Sequence, residues 1–510
     1  MVSAVLFITF FVLLVLNVPI SICLGLSSAA AILYSGTSLT IVATNIYSGI
    51  SKFLLLAIPF FVLSGNIMAK AGISTRLIRF VDTCVGHRKG GIANVCIIVA
   101  CFFGAISGSG PATVAALGAV LIPAMVERGG FSAPFATALM ATASSIAIVI
   151  PPSIAFVVYA SITGVSIGDM FMAGIIPGIL MGLALIVVVM LEVRKNRVVP
   201  SNVQKASAKE RLDAFKDAFW GFLMPVIILG GIYGGIFTPT EAAAVSVVYG
   251  LFVGMVIYKE VKLKDLWDIL IDSAKTTGGI MLIVACASLF SFVCTRFGIS
   301  AAASQLLAKV AGNQFTFLLI CNVIFLIAGC FIDANSAMYI FIPIMLPVCK
   351  QLGYNVIAFG IMATVNLAIG QVTPPVGVNL FVAIGVKLKN GLQVTLQQIS
   401  RAVVSMVVAS IAVLLLITYI PVISTFLPAA LGSAAAVENG TTTGGDSGTT
   451  ATDNEDFNTI EDYSDLDWPE MTWNFTCSTT ETSTWAQAGR KFGELMEQAT
   501  GGKVKVDVYA

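Results

Sequence analysis

The residues best suited to chemistry lie in four short polar breaks inside long apolar runs. Two breaks read Ser107-Gly-Ser-Gly-Pro-Ala-Thr113 and Asp333-Ala-Asn-Ser336, and the other two carry Pro151-Pro152 and Pro374-Pro375. A tandem proline removes two N–H donors and leaves carbonyl groups of the preceding turn without partners. Hydroxyl, amide and carbonyl oxygens are hard ligands for a small cation, whereas half-helix N-termini suit a carboxylate. The breaks therefore predict binding of a cation and a carboxylate.

Two candidate cation sites follow from these breaks. The first consists of Ser107, Gly108, Ser109, Ser144 and Ser145. The second consists of Asp333, Asn335, Gly370 and Thr373. Four further polar residues are expected to contact the substrate: Thr113, Ser153, Ser336 and Asn379.

Asp333 is the only acid deep within an apolar run of either hairpin. A carboxylate inside a membrane is a functional hypothesis by default, because burying it in lipid is costly. The alternative is that the span boundary lies elsewhere, which would leave Asp333 at the membrane surface. The neighbouring Asn335 and Ser336 favour the ion site.

The composition requires that most of the chain lie in lipid. Of 510 residues, 57% are hydrophobic and 11% are charged, whereas soluble domains carry about 25% charged residues. The ten cysteines form no CxxC pair, and His87, in a basic loop, is the only histidine. The sequence therefore predicts no metal centre other than a coupling cation, and no basic face for nucleic acid.

Lysine and arginine predict how the chain crosses the membrane. Basic residues cluster at 76–89, 194–216 and 259–264, and cytoplasmic loops carry the excess of such residues. All three clusters are cytoplasmic if residues 90–128 form a re-entrant hairpin whose two ends lie on the same side. Both termini are then periplasmic.

The two halves of the chain repeat each other. Ala71-Gly-Ile-Ser74 recurs as Phe297-Gly-Ile-Ser300, and Pro151-Pro152 recurs as Pro374-Pro375, at nearly constant spacing. The first repeat covers 1–212, with a hairpin at about 90–128 and a broken helix at about 132–164. The second covers 213–430, with a hairpin at about 314–350 and a broken helix at about 353–387. The charge bias makes the repeats inverted, and paired interruptions in inverted halves indicate a transport site near the midplane.

The last eighty residues differ from the rest. Residues 431–470 are rich in Gly, Thr, Ser, Asp and Glu and contain no Lys or Arg, which predicts a disordered acidic linker. Residues 471–510 follow the pattern of a strand, a helix and a second strand. This short α/β fragment is too small to bury a stable core.

The breaks resemble those of the large membrane subunit of TRAP (tripartite ATP-independent periplasmic) transporters, in the ion-transporter superfamily. The resemblance covers about residues 1–428. Four motifs carry it: Ser107-Gly-Ser-Gly-Pro-Ala-Thr113, Ile150-Pro-Pro-Ser153, Phe237-Thr-Pro-Thr-Glu241 and Gln371-Val-Thr-Pro-Pro-Val-Gly377. Residues 472–510 resemble the start of the periplasmic solute-binding protein of the same systems, which here ends after its second strand.

The resemblance implies an all-α polytopic protein of the bacterial inner membrane. It implies a scaffold holding a moving transport domain, an elevator mechanism, sodium as coupling ion with no other cofactor, and an organic acid such as a dicarboxylate as substrate. It also implies two partners, a small four-helix membrane subunit and a periplasmic solute-binding protein. Under this resemblance the two candidate cation sites become sodium sites.

Other functions have less support from the residues. The chain contains no GxxxxGK[ST] motif, so ATP-driven pumping is not expected. An intramembrane protease with Ser107 as nucleophile would need a base within hydrogen-bond reach, but His87 is in a cytoplasmic loop and the nearby spans lack lysine. The protein is therefore not expected to be an enzyme. A carboxylate transporter that works without a binding protein, and a channel, remain as alternatives within the same superfamily.

Overall fold

The computed structural model describes residues 1–195, 205–386, 394–431, 471–476, 491–493, 496–497 and 503–509. The chain divides into two compact units, Met1–Gly440 and Thr441–Ala510.

The first unit is helical. Its first half contains α1 Val2–Val15, α2 Ile20–Tyr34, α3 Thr40–Ile50, α4 Ala57–Lys70, α5 Ile73–Val85, α6 Gly91–Ser107, α7 Gly110–Glu127, α8 Ala133–Ser145, α9 Ile154–Thr163 and α10 Ile167–Lys195. The second half contains α11 Ala208–Tyr233, α12 Pro239–Phe252, α13 Leu263–Arg296, α14 Ile299–Ala311, α15 Gln314–Phe331, α16 Ala334–Gln351, α17 Val356–Gly370, α18 Val378–Ile384, α19 Leu396–Tyr419 and α20 Val422–Ala430. Short 3₁₀ turns at Phe53–Leu56 and Ile146–Ile148 and a π-turn at Val253–Ile257 complete it.

Among the described residues, eight helical segments are long and apolar enough to cross a membrane. The longest are α10, α11 and α13, with 29, 26 and 34 residues. At about 1.5 Å per residue each exceeds the thickness of the hydrocarbon core. The prediction of an all-α polytopic membrane protein is confirmed.

Each half contains a helical hairpin. In the first, the start of α6 is close to the end of α7: Gly129, just after α7, lies against the side chain of Ile92 in the first turn of α6. In the second, both ends adjoin the end of α19: Tyr419 Oη donates to Phe315 O at 3.4 Å, and Tyr354 Oη donates to Thr418 O at 2.8 Å. The chain thus leaves each hairpin close to where it entered.

Both predicted broken helices are present. Helix α8 passes into the 3₁₀ turn, a cis Pro151–Pro152 bond follows, and α9 begins at Ile154. Helix α17 ends at Gly370, a cis Pro374–Pro375 bond follows, and α18 begins at Val378. Every residue of α17 is buried. The first break and α17 therefore lie inside the protein, where non-helical backbone is tolerated at membrane depth. In the second break, by contrast, Pro375, Val376 and part of α18 are exposed at the surface.

The order of elements occurs twice. In the first half, Gly72 has a left-handed φ of 68° and precedes α5; in the second half, Gly298 has a φ of 70° and precedes α14. In each half a hairpin and then a broken helix follow. The boundary predicted between residues 212 and 213 falls within the first turns of α11. This helix begins earlier because Ser207 and Glu210 form a capping box that outweighs the charged, loop-like composition around it.

Ion pairs gather the basic loops at one end of the first unit. Arg76 pairs with Glu260 at 2.6 Å, Arg79 with Asp217 at 3.0 Å, and Arg128 with Asp82 at 3.1 Å. These contacts join α5 to the end of α7, the third turn of α11 and the segment before α13. This end is called the basic end below.

The motif Thr238-Pro-Thr-Glu241 starts α12. Thr238 Oγ1 accepts from Glu241 N at 3.3 Å, and the Glu241 carboxylate accepts from Thr238 N at 2.8 Å. This reciprocal capping box satisfies backbone donors at the helix start. The residues thus have a structural role in addition to carrying part of the family resemblance.

In the second unit, β1 Met471–Thr476 pairs in parallel with β2 Val504–Tyr509. The two predicted strands are therefore confirmed. Of the predicted helix between them, only residues 491–493 and 496–497 are described, and both are helical. Apart from Leu431, the predicted linker at 431–470 lies outside the described residues.

Candidate functional site: two hairpin tips and two broken helices

The tip of the first hairpin is a compact polar turn. Helix α6 ends at Ser107, Gly108 adopts a left-handed conformation with φ 60°, and extended Ser109 precedes α7. The hydroxyls of Ser107 and Thr113 are 2.8 Å apart, and Thr113 Oγ1 donates to Ser109 O at 2.8 Å. Three of the predicted site residues thus belong to one hydrogen-bonded turn.

This tip rests on the first broken helix. A methyl group at Gly108 would lie 2.7 Å from Pro152 O, and one at Gly104 would lie 2.7 Å from Ala147 Cα. Only glycine permits such close backbone approach. The structure therefore brings the tip of the first candidate cation site against the break that follows Ser144 and Ser145.

The serines of the first break bond to their own backbone. Ser144 Oγ donates to Ala141 O at 2.7 Å, Ser145 Oγ donates to Thr142 O at 2.8 Å, and Ser153 Oγ donates to Ile148 O. All three side chains are fully buried. Their hydroxyl protons are used within the break, so their oxygen lone pairs stay available to a cation.

Asp333 forms the tip of the second hairpin as the N-cap of α16. Its Oδ2 accepts from Asn335 N at 3.0 Å and from Ser336 N at 3.1 Å, and its Oδ1 accepts from Ser336 Oγ. The side chain is partly buried. Asp333 thus caps α16 and also places a carboxylate at the hairpin tip. The cap fixes the positions of Asn335 and Ser336, two other predicted site residues.

The second hairpin packs tightly on the second broken helix. A methyl group at Gly370 would lie 2.5 Å from Gly329 Cα, and one at Gly329 would lie 3.0 Å from Gly370 Cα. Gly329 is one helical turn before Asp333, while Thr373 Oγ1 donates back to Ile369 O at 2.7 Å. The second candidate site therefore has the same plan as the first, a tip resting on a break.

The two halves meet at Asn379. This residue is fully buried in α18, and its Nδ2 donates to Ala141 O in α8 at 3.4 Å. A methyl group at Gly110, the first residue of α7, would lie 2.8 Å from Asn379 Nδ2 and 2.9 Å from Gln371 Oε1. The start of the first hairpin's return helix thus faces two amide groups from the second broken helix.

Four buried side-chain amide oxygens around the second break make no hydrogen bond among the described residues. They belong to Asn335, Asn366, Gln371 and Asn379. A buried acceptor without a partner costs about 1–3 kcal/mol, so such a group at a functional site indicates a missing ligand or water. Amide oxygens can bind a cation directly or accept hydrogen bonds from a bound solute.

The helix starts at the two tips differ in charge. The Asp333 carboxylate occupies the start of α16, whereas no side chain of the described residues caps the start of α7 or of α9. Uncapped helix N-termini present free N–H groups and a positive dipole end, which attract anions. The start of α7 is therefore better suited than the start of α16 to a substrate carboxylate.

The structure thus brings each hairpin tip to its own broken helix and joins the halves through Asn379. Thr113 and Ser153 lie at the first tip and break, and Ser336 at the second tip. The sequence reasoning did not select Gln371 or Asn366. The sequence offered one indication of them, since both carry polar amide groups close to Pro374-Pro375. In the structure they stand out because their buried amide oxygens have no hydrogen-bond partner among the described residues.

Comparison with known proteins indicates which family the chain belongs to. The sequence profile described as "Tripartite ATP-independent periplasmic transporter, DctM component" matches residues 7–423. The C4-dicarboxylate TRAP transporter large permease protein DctM of Pseudomonas aeruginosa is 41% identical over 410 residues, covering 80% of this chain and 94% of that protein. The sialic acid TRAP transporter large permease protein SiaM of Vibrio cholerae is 35% identical over 400 residues, covering 78% and 92%.

Two further similarities concern a longer relative and a solved structure. The isethionate TRAP transporter permease protein DctMQ of Oleidesulfovibrio alaskensis is 41% identical over 423 residues, which are 83% of this chain but 66% of that protein. The crystal structure of the Alcanivorax borkumensis YdaH transporter, described as having an unusual topology, has a TM-score of 0.55 at 15% identity, covering 78% of this chain and 89% of that one. This last similarity supports the fold alone. Because the family profile spans most of its length, the chain belongs to the DctM family, the large permease component of tripartite ATP-independent periplasmic transporters, and is a transport protein rather than an enzyme.

Proposed function

We propose that this permease imports an organic acid together with sodium by an elevator mechanism. The observation that carries the proposal is the paired arrangement of hairpin tips packed on Pro-Pro breaks, with unpartnered amide oxygens beside them. The hairpins and broken helices would form the moving transport domain, and the long helices α10, α11 and α13 would belong to the scaffold.

Sodium fits the oxygen chemistry of both candidate sites. The first site offers only uncharged oxygen ligands, beside the left-handed Gly108. They belong to Ser107, Ser109, Ser144 and Ser145. At the second, the Asp333 carboxylate and the amide oxygen of Asn335 lie at the tip, with Gly370 and Thr373 at the break. The carboxylate gives the second site a charge that the first lacks, so the two sites are expected to bind sodium with different affinities.

The organic acid is expected to bind where the halves meet. The uncapped start of α7 supplies N–H groups, and Asn379 supplies an amide group beside it. Thr113, Ser153 and Ser336 are the further candidates for substrate contacts. The substrates named for relatives, C4-dicarboxylates, isethionate and sialic acid, are all organic anions, which supports this class here.

The proposal includes location and partners. The basic end faces the cytoplasm of a bacterial inner membrane under the positive-inside rule, and both termini are periplasmic. The chain would work with a small four-helix membrane subunit and a periplasmic solute-binding protein. The fragment at 471–510 would then lie on the side where the binding protein delivers its solute.

Replacing sodium tests the coupling. In proteoliposomes holding both membrane subunits, with the cognate binding protein outside, uptake of a radiolabelled acid is expected to fall at least tenfold when external potassium replaces sodium. The reason is that neither cation site is occupied without sodium. The bound cation would then no longer link each hairpin tip to its break. Equal uptake in the two salts would contradict sodium coupling.

Omitting the binding protein separates the main proposal from its alternative. Uptake that requires the binding protein supports a tripartite system. Sodium-dependent uptake of the same rate without it would support a binding-protein-independent carboxylate transporter, and uptake that never saturates with substrate would support a channel.

A further inference from the structure

A polar cavity lies away from the hairpin tips, near the basic end. It has a volume of about 240 Å³ and is bounded by α4, α5, α7 and α13. Its lining residues are Asn66, Ala69, Lys70, Ser74, Ala116, Ile269 and Asp272. Lys70 ends α4 and precedes the turn that leads to Arg76 and its ion pair with Glu260. The cavity therefore belongs to the side that the proposed orientation assigns to the cytoplasm.

The two charged residues of this cavity, Lys70 and Asp272, are exposed, and Ser74 is half-buried. The side chains of Lys70, Ser74 and Asp272 make no hydrogen bond or ion pair within the described parts of the chain, and Lys70 and Asp272 do not pair with each other. By contrast, Asn66 Nδ2 donates to Ser273 Oγ at 2.8 Å, which fixes the amide at the wall. The ammonium group, the hydroxyl and the amide around this open space are donors that can bind an anion, whereas the Asp272 carboxylate in the same lining repels it.

Helix α7 connects this cavity with the hairpin tip. Ala116 lies six residues after Gly110, about 9 Å along the helix. Around it, Ala112, Ala115 and Ala119 are exposed on the same side of α7. Between Gly110 and Ala116 this face carries only the methyl groups of alanines, so no side chain of α7 obstructs a solute that moves from the tip to the cavity.

We propose that this cavity is a release site, which holds the acidic group of the organic anion between the hairpin tips and the cytoplasm. Lys70 is the counter-ion, and Ser74 and Asn66 are hydrogen-bonding partners. Asp272 weakens the attraction, which keeps the anion from being retained. The inference rests on the proposed direction of transport, but its central claim, a water-filled cavity whose potential Lys70 makes favourable to anions, is testable without a transported substrate.

Cysteine labelling measures that potential. The thiol introduced by Ala116→Cys is labelled with a sulfonate-bearing and a trimethylammonium-bearing methanethiosulfonate, and the two rates are read from its peptide by mass spectrometry. Lys70→Gln is expected to lower the ratio of anionic to cationic labelling about fivefold or more, because a unit charge several ångströms away shifts each rate by a few-fold in opposite directions. Asp272→Asn is expected to raise the ratio, and Lys70→Arg to preserve it.

The matched control is Lys309→Gln, which removes an exposed lysine on α14, remote in sequence from the cavity and absent from its lining. It should leave the ratio unchanged. No labelling of the introduced thiol in folded protein, or a ratio insensitive to both Lys70→Gln and Asp272→Asn, would overturn the proposal. A ratio that falls equally in Lys309→Gln would overturn it as well, because the effect would then reflect net charge.

A transport measurement connects the cavity with release. Proteoliposomes loaded with graded concentrations of succinate exchange it for external labelled succinate. Lys70→Gln is expected to raise the internal half-saturating concentration about fivefold while leaving the external value unchanged. An unchanged internal value in Lys70→Gln would argue against release through this cavity. Absence of transport in the unsubstituted protein would instead count against succinate as a substrate or against the proposed function, with the labelling result still deciding the character of the cavity.

Discussion

Alanine in place of Gly370 is expected to abolish uptake. The added methyl group would lie 2.5 Å from both Gly329 Cα and Gly329 C and 2.9 Å from its carbonyl oxygen. All three are backbone atoms, so no rotamer change relieves the overlap, and the second hairpin must move away from its broken helix. Overpacking of this kind costs about 1–3 kcal/mol. It would also displace the hairpin that carries Asp333, so sodium-driven uptake in proteoliposomes should fall below about a tenth of the unsubstituted rate.

Two glycine substitutions calibrate this prediction. Gly329→Ala places its methyl group 3.0 Å from Gly370 Cα, a milder overlap, and should retain part of the activity. Gly278→Ala, in the exposed part of α13, meets nothing within 4 Å and should transport normally, with a small gain in helix stability. Wild-type uptake by Gly370→Ala would show that close packing of hairpin and break is not required.

The breaks were predictable because they depend on local rules. Tandem proline excludes continued helix wherever it occurs, so Pro151-Pro152 and Pro374-Pro375 fixed the interruptions from sequence alone. The Gly-Ile-Ser turns follow from the freedom of Gly72 and Gly298 to adopt positive φ. Their recurrence in the same order predicted that the chain contains two matching halves, and the same order of elements is found in the structure.

The contacts between the halves were not predictable from one sequence. Gly110 meets Gln371 and Asn379 across more than 250 residues, and this contact depends on how α7 and α18 rotate about their axes. Hydrophobic periodicity gives little information on rotation when a helix is buried on all sides, as α17 is. For this reason Gln371 did not stand out from the sequence, although its polar environment was visible.

Asp333 shows a different limit of prediction from sequence, because this one residue combines two roles. Its type and neighbours predicted a cation ligand, while the structure adds three hydrogen bonds that cap α16. The same geometry is compatible with both roles, since among the described residues Oδ1 accepts only from Ser336 Oγ and keeps a lone pair for a cation. Separating the roles requires a substitution that keeps the cap and removes the charge.

Asp333→Asn is that substitution, because asparagine caps helices about as well as aspartate. We expect it to raise the sodium concentration for half-maximal uptake at least tenfold, equivalent to about 1.4 kcal/mol, with normal membrane insertion and nearly unchanged thermal stability. Asp333→Ala should lose sodium dependence altogether and also lower the free energy of unfolding by about 1 kcal/mol through loss of the cap. The measurements are uptake against sodium concentration and thermal unfolding in detergent.

The control for Asp333→Asn is Asp265→Asn at the start of α13. There the carboxylate also serves a helix start, with Oδ2 accepting from Lys262 N at 2.9 Å, but it lies outside both candidate sites. Its neutralisation should leave the sodium dependence unchanged. If Asp333→Asn keeps wild-type sodium affinity while Asp333→Ala only loses stability, the residue is a helix cap and not a sodium ligand. A carboxylate that binds the cation directly at the second site would then have to come from the bound organic anion, beside the amide oxygens of Asn335 and Gln371.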